Sequence, residues 1–363
     1  MNLKRFVLGC ALVLATFFQV DACRFTVREI GFTTLSQDIY TLIIVDEKAD
    51  ALDQQWKSVH ERLSDSNIRL AVLHPDQDAT HPFVKQVVSS GVKLPAKVLL
   101  APDGRLLVLS EYSLPVLFDQ LLDSPVCRRI RNEFPEVFSV ILYVEGKDEQ
   151  INHKVEALIN KDCDQIENSM PHMPKEVKKG PVLVTISNKE MLQEKVLLWA
   201  LGIEQQPNEP MTFVLYGRGR IMGTAVTASS IGEGNLLKLM SMIGADCECG
   251  LDRKWMLGHQ LPLFWSVENR QHLMDEVGFD VDNPMILAEM SRILAKEVDP
   301  QMAGNVSFGP EVVDLNNAFA PVPDISYEAK STDGKINAWW FLVGGITTLI
   351  VALGIWLFLR NNK

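Results

Sequence analysis

The chain has 363 residues, too many for one typical hydrophobic core, so at least two domains are expected. Its formal net charge of −11 at pH 7 excludes nucleic acid or anionic lipid as a partner held by general electrostatics, although acidity by itself assigns no function. The histidines show no His-Glu-x-x-His spacing, and neither a Gly-x-Ser-x-Gly elbow nor a phosphate-cradling glycine loop occurs.

Residues 1–22 read as a secretory signal peptide. Lys4 and Arg5 give the basic start, residues 6–18 the apolar stretch, and Val20-Asp21-Ala22 the segment before a cleavage site. An uncleaved anchor is the alternative, but the apolar run is short beside the ~20 residues that a span needs. Cys23 follows the cleavage site, placed either for lipid attachment or for a disulfide within the first domain.

Residues 23–130 form the first predicted domain. Phe25, Val27 and Ile30 alternate as in a strand, and residues 39–45 are a continuous apolar run suited to a strand covered on both faces. Leu52, Trp56, Val59 and Leu63 have helical spacing. Residues 68–73 predict a second strand, and residues 81–90 a second helix closed by Gly91. Pro95 then opens an apolar strand that turns at Asp103-Gly104-Arg105 and returns through residues 106–109, and residues 114–122 predict a last helix.

Residues 131–250 repeat this order. Residues 138–144 predict a strand, 150–160 a helix, 181–186 a strand and 190–201 a helix. Pro210 opens a hairpin turning at Gly217-Arg218-Gly219-Arg220, and residues 235–243 close the copy with a helix. Pro, apolar strand and Gly-Arg recur in the two copies at one constant offset, so that Leu100 coincides with Leu215. An extra segment, 162–179, lengthens the second copy. The order β-α-β-α-β-β-α, with Gly91-Val92-Lys93-Leu94-Pro95 before the hairpin, resembles the thioredoxin-like family, and the tandem resembles the arrangement of the protein disulfide isomerase group. The resemblance implies an α/β fold of two tandem thioredoxin-like domains, with Pro95 and Pro210 as cis-proline candidates.

Residues 251–298 predict a helical extension, with helices at 268–277 and 283–297 and Asp282 as candidate N-cap of the second. Residues 299–336 mix Pro, Gly, Asn and acidic groups and read as a stalk. Residues 337–359 read as a single transmembrane helix: 338–359 carry no charge, and Trp339, Trp340 and Trp356 lie near the ends. Residues 360–363 form a cytoplasmic tail. The layout implies a single-pass membrane protein whose N-terminal bulk is extracytoplasmic, on the periplasmic side in a bacterium.

Enzymes of the resembled family carry Cys-x-x-Cys after the first core strand, where a helix N-terminus lowers the thiol pKa. Here those places read Asp46-Glu47-Lys48-Ala49-Asp50 and Glu145-Gly146-Lys147-Asp148-Glu149, without a cysteine, so dithiol catalysis is not expected and acidic residues serve the helix starts. Five cysteines remain after removal of the signal: Cys23, Cys127, Cys163, Cys247 and Cys249. Disulfides are their default outside the cytoplasm, with Cys23 and Cys127 placed to clip the first domain and Cys163 to join Cys247 or Cys249. Cys247-Glu248-Cys249, with His259 nearby, is also a candidate soft-metal or thiol-exchange site, and Met170-Pro171-His172-Met173 is a weaker soft-ligand cluster. The expected function is non-catalytic binding of a protein or peptide partner at a membrane, a transporter component being one such partner, with no cofactor. The alternative is a thiol-redox or soft-metal protein acting through Cys247 and Cys249.

Overall fold

The structure, a computed structural model, describes residues 24–47, 54–245 and 256–295. Signal peptide, stalk, transmembrane helix and tail all lie outside these residues, as do Cys23, Cys247 and Cys249.

Each predicted domain contains a four-stranded mixed sheet. In the first, β1 (Tyr40–Val45) lies between β2 (Ile68–Leu73), parallel to it, and β3 (Ala96–Leu100), antiparallel, with β4 (Leu106–Val108) beyond β3. In the second, β5 (Val140–Val144) lies in the same way between β6 (Val182–Ile186) and β7 (Met211–Tyr216), with β8 (Arg220–Thr227) outside. The central strands are continuous apolar runs because helices cover both faces. Helices α2 (Gln54–Leu63), α3 (Pro82–Ser89) and α4 (Leu114–Val116, running into a π-helical stretch, Leu117–Leu122) belong to the first sheet. His81 caps α3, and Gly91 follows it at φ +76°, as expected. The two sheets share one strand order and one pairing pattern, so the α/β fold and its repeat stand as the sequence implied.

Helix α5 (Pro125–Glu133) leads into the second domain. The expectations above omit it, although Ser124 at its N-cap and Pro125 at its first turn mark a helix start. The second domain then adds α6 (Glu149–Ser169), α7 (Lys195–Ala200), α8 (Ala228–Gly232) and α9 (Asn235–Ile243). The first part of the extra segment 162–179 is the continuation of α6. Helix α7 is shorter than the predicted 190–201, because Glu190 folds back onto the Ser187 amide and hydroxyl and holds the preceding residues in turns.

The segment at 24–32 corrects the reading of a strand. Residues Val27–Gly31 are a helix, α1, because Thr26 and Glu29 form a reciprocal capping box. Its apolar residues enter the core of the second domain: Phe25, Val27 and Ile30 pack with Tyr143, Ile159 and Tyr216, and the Val27 amide donates to Ala245 O at 3.1 Å. A second fusion lies between the sheets. Every residue of α7 from Val196 to Ala200 is buried, and Leu197, Leu198 and Trp199 share one core with Tyr40, Leu117 and Phe118. A helix apolar on all sides fits only where it is enclosed.

The extension continues with α10 (Val267–Val277) and α11 (Pro284–Ala295). Asn283 rather than Asp282 accepts from the first turn of α11, through Met285 N; Asp282 instead pairs with Arg218 at 2.6 Å. Residues 256–266 form a strap across both domains. Ile221 N donates to His259 O and Leu261 N to Gly219 O on the second domain, while Trp265 N donates to Asp65 O and Leu263 N to Asn67 Oδ1 on the first.

Candidate functional site

The place where the resembled enzymes carry their thiols can be located in both sheets from backbone register. Val45 pairs with Ala96, just after Pro95, and Val144 pairs with Met211, just after Pro210. Each loop that follows the central strand therefore begins beside a proline, as the repeat implied. The Leu94–Pro95 peptide is cis, whereas Glu209–Pro210 is not among the cis bonds, a difference from the cis-proline expectation for the second copy.

In the second domain this place is filled. A Cβ built on Gly146 would lie 2.6 Å from Pro210 N and 2.8 Å from Glu209 C, so the two loops meet backbone to backbone. Lys147 N donates to Asn208 O at 3.3 Å and Lys147 Nζ to Asn208 Oδ1 at 2.9 Å. The buried Asn152 fixes the loop from behind, accepting from Gly146 N at 2.9 Å and donating to Gly146 O at 3.0 Å. Asp148 caps α6, accepting from Gln150 N and Ile151 N, which is the helix-start role read from the sequence. Pro210 is buried, with the Gly146 loop against it.

The first domain presents a different surface. Pro95 is exposed and Leu94 is 40% exposed; Val88 is likewise exposed. Asp46 and Glu47 end the strand, and residues 48–53 lie outside the described set.

The thiols lie elsewhere. Cys127, on α5, is 2% exposed, and Cys163, on α6, is 8% exposed; they are not bridged to each other, and no other cysteine lies among the described residues. Burial pushes each thiol up to about 12, so both are protonated and inert at neutral pH. Their expected bridges involve Cys23, Cys247 and Cys249, outside the described residues. His259 stands on the strap, its Nδ1 3.2 Å from Asp38 Oδ2, which also accepts from Gln260 N at 2.8 Å. The hydrogen bond to Asp38 raises the His259 pKa against the smaller opposing effect of burial. Met170 and Met173 pack on the second core, and Met173 Sδ fills the space over Gly244.

One cluster escaped the sequence reading. Glu136, His272 and Glu276 bring three ligand atoms within 4.8 Å of one another. The His272 and Glu276 pair at i,i+4 was the available signal; Glu136 comes from a distant part of the chain. The cluster already holds cations, however. Lys178 Nζ lies 2.5 Å from Glu136 Oε1 and 3.2 Å from Glu276 Oε1, and Lys179 Nζ lies 2.5 Å from Glu136 Oε2. Hydrogen bonds from Lys178 and Lys179 hold the Glu136 pKa at about 2. A metal ion at these three atoms would have to displace the Lys178 ammonium group from both carboxylates.

No protein-family model matches the chain, and no curated protein sequence matches it. Among solved structures, the NTD_N/C domain of the alkylhydroperoxide reductase AhpF of Enterococcus faecalis aligns at 11% identity over 57% of this chain and 94% of that one, with a TM-score of 0.18. A likeness at that level carries no argument, and the fold rests on the strand order and pairing described above.

Proposed function

We propose that the chain is a non-catalytic interaction protein, displayed at the outer side of a membrane, that binds a protein or peptide partner through its first domain. The observation that carries this reading is an asymmetry between the copies. The second domain closes the surface beside its proline with the Gly146 loop, whereas the first leaves Leu94 and Pro95 exposed. The described thiols are buried and protonated, and the positions of the family nucleophile hold none. Among the described residues no helix is long and apolar enough to cross a membrane. The anchor therefore rests on the uncharged stretch at 338–359, and a transporter partner would account for a tether.

The test places a photo-reactive amino acid singly at Leu94 or His60 in the first domain and at Leu158 or Glu209 in the second, in full-length protein in its native membrane. The expected result is a discrete adduct from the first pair and none from the second. Adducts from neither pair, or from the second pair alone, would overturn the reading.

A further inference from the structure

Strand β2, Ile68-Arg69-Leu70-Ala71-Val72-Leu73, is the outer strand of the first sheet. Its backbone pairs with β1 on one side only, and its side chains from Leu70 to Leu73 are half-buried at most. An apolar edge strand with free backbone donors and acceptors is a hazard that proteins normally cover or charge. The second domain covers its own: Arg129 of α5 packs over β6 and donates to Leu183 O. Helix α1, which precedes β1 as α5 precedes β5, is docked on the other domain, and among the described residues no strand pairs with the outer edge of β2.

Beside β2 lies a groove of about 390 Å³ whose walls are Trp56, Leu70 and Val72. Leu70 and Val72 face this side, while Arg69, Ala71 and Leu73 alternate onto the opposite face, where Ala71 and Leu73 meet Ile43 and Val45. Arg69 is exposed and has no ion pair among the described residues, while Lys57, His60 and Glu61 complete the groove rim, so that Arg69 is the charge that marks the strand itself. Just before β2, Ser66 forms an antiparallel bridge with Phe264 of the strap.

We propose that β2 takes an extended segment of a partner polypeptide as a fifth strand, with apolar side chains in the Trp56 groove and acidic side chains on the Arg69 face. This rests on the reading of the chain as a peptide-binding protein and names where, and in what form, the peptide binds. Charge selects the occupant. The β2 strand of a second copy carries no acidic residue to meet Arg69, whereas a partner whose acidic residues alternate onto that face complements it.

The test uses the full chain and two synthetic decapeptides, one alternating valine with glutamate, the other valine with lysine, with amide hydrogen exchange as readout. The valine–glutamate peptide is expected to protect the amides of residues 68–73, and Arg69→Glu, an exposed substitution, to weaken it at least ~10-fold while transferring preference to the valine–lysine peptide. Protection at residues 92–97 in place of 68–73 would overturn the β2 site while leaving peptide binding intact. Protection at neither place would overturn both. Concentration-dependent protection of 68–73 without any peptide would show a second copy as the occupant and overturn the inference.

Discussion

Arg105 and Arg220 stand at equivalent places in the two hairpins, and both reach out of their own domain to backbone carbonyls. Arg105 donates to Trp199 O at 2.7 Å and lies over the Trp199 ring, joining the first hairpin to the end of α7. Arg220 is 0% exposed and donates to the carbonyls of Gly31, Thr33, Leu35, Ser36 and Gly258 at 2.5 to 3.4 Å, without an ion pair among the described residues. Its charge is offset by these dipoles and, without direct contact, by the Asp38 carboxylate, and burial lowers its pKa. Arg220→Met should therefore destabilise the chain by more than about 3 kcal/mol in urea unfolding, because several buried carbonyls lose their donor at once. Arg105→Ala, at a half-buried position, should cost about 1 kcal/mol. His259 gives a pH signature. Its pKa in the folded chain is raised above the ordinary 6.5 by Asp38, so this contribution is complete below that value and is lost as pH rises through the folded pKa. Hydrogen exchange in the strap should accelerate beyond the intrinsic rate only as pH rises above about 6.5, and His259→Gln should remove that difference.

At the scale of elements, the turn Gly217-Arg218-Gly219 does more than reverse the chain. Gly217 has φ +57°, and a Cβ there would lie 2.2 Å from the carbonyl carbon of Gly31, while Arg218 N donates to Gly31 O at 3.1 Å. The hairpin thus closes on the end of α1. Gly217→Ala should strain the turn and release α1 together, seen as proteolytic cleavage near residues 31–36 under conditions where the parent chain is intact. The sheets were legible in the sequence because each central strand is an unbroken apolar run and each hairpin opens at Pro and turns at Gly. Helix α1 was not legible, since Phe25, Val27 and Ile30 alternate like a strand and only the Thr26/Glu29 capping box argued otherwise. Its docking on the second domain leaves no local trace. The closed loop at Gly146 was half legible: the missing cysteine could be read directly, but the approach of Glu209 and Pro210 is a tertiary contact. The same holds for the Glu136, His272 and Glu276 cluster, which residues far apart in the chain assemble.

For the whole molecule, the two sheets share a core through α7, and the strap ties them across the outside. Glu194, buried just ahead of α7, accepts from the Ser124 hydroxyl and from Val126 N at 3.0 Å, so a residue of the second domain caps the helix that links them. What distinguishes the two halves at the paired prolines is that Pro95 is exposed while Pro210 is buried against the Gly146 loop. The central claim, partner binding in place of thiol chemistry, is met most directly by native-state alkylation of the full chain, read cysteine by cysteine by mass spectrometry alongside a disulfide-reduction assay. The expected result is that Cys127 and Cys163 resist iodoacetamide until the chain is denatured and that no disulfide substrate turns over. Rapid native labelling of Cys127 or Cys163, or turnover traced to Cys247 and Cys249, would contradict it.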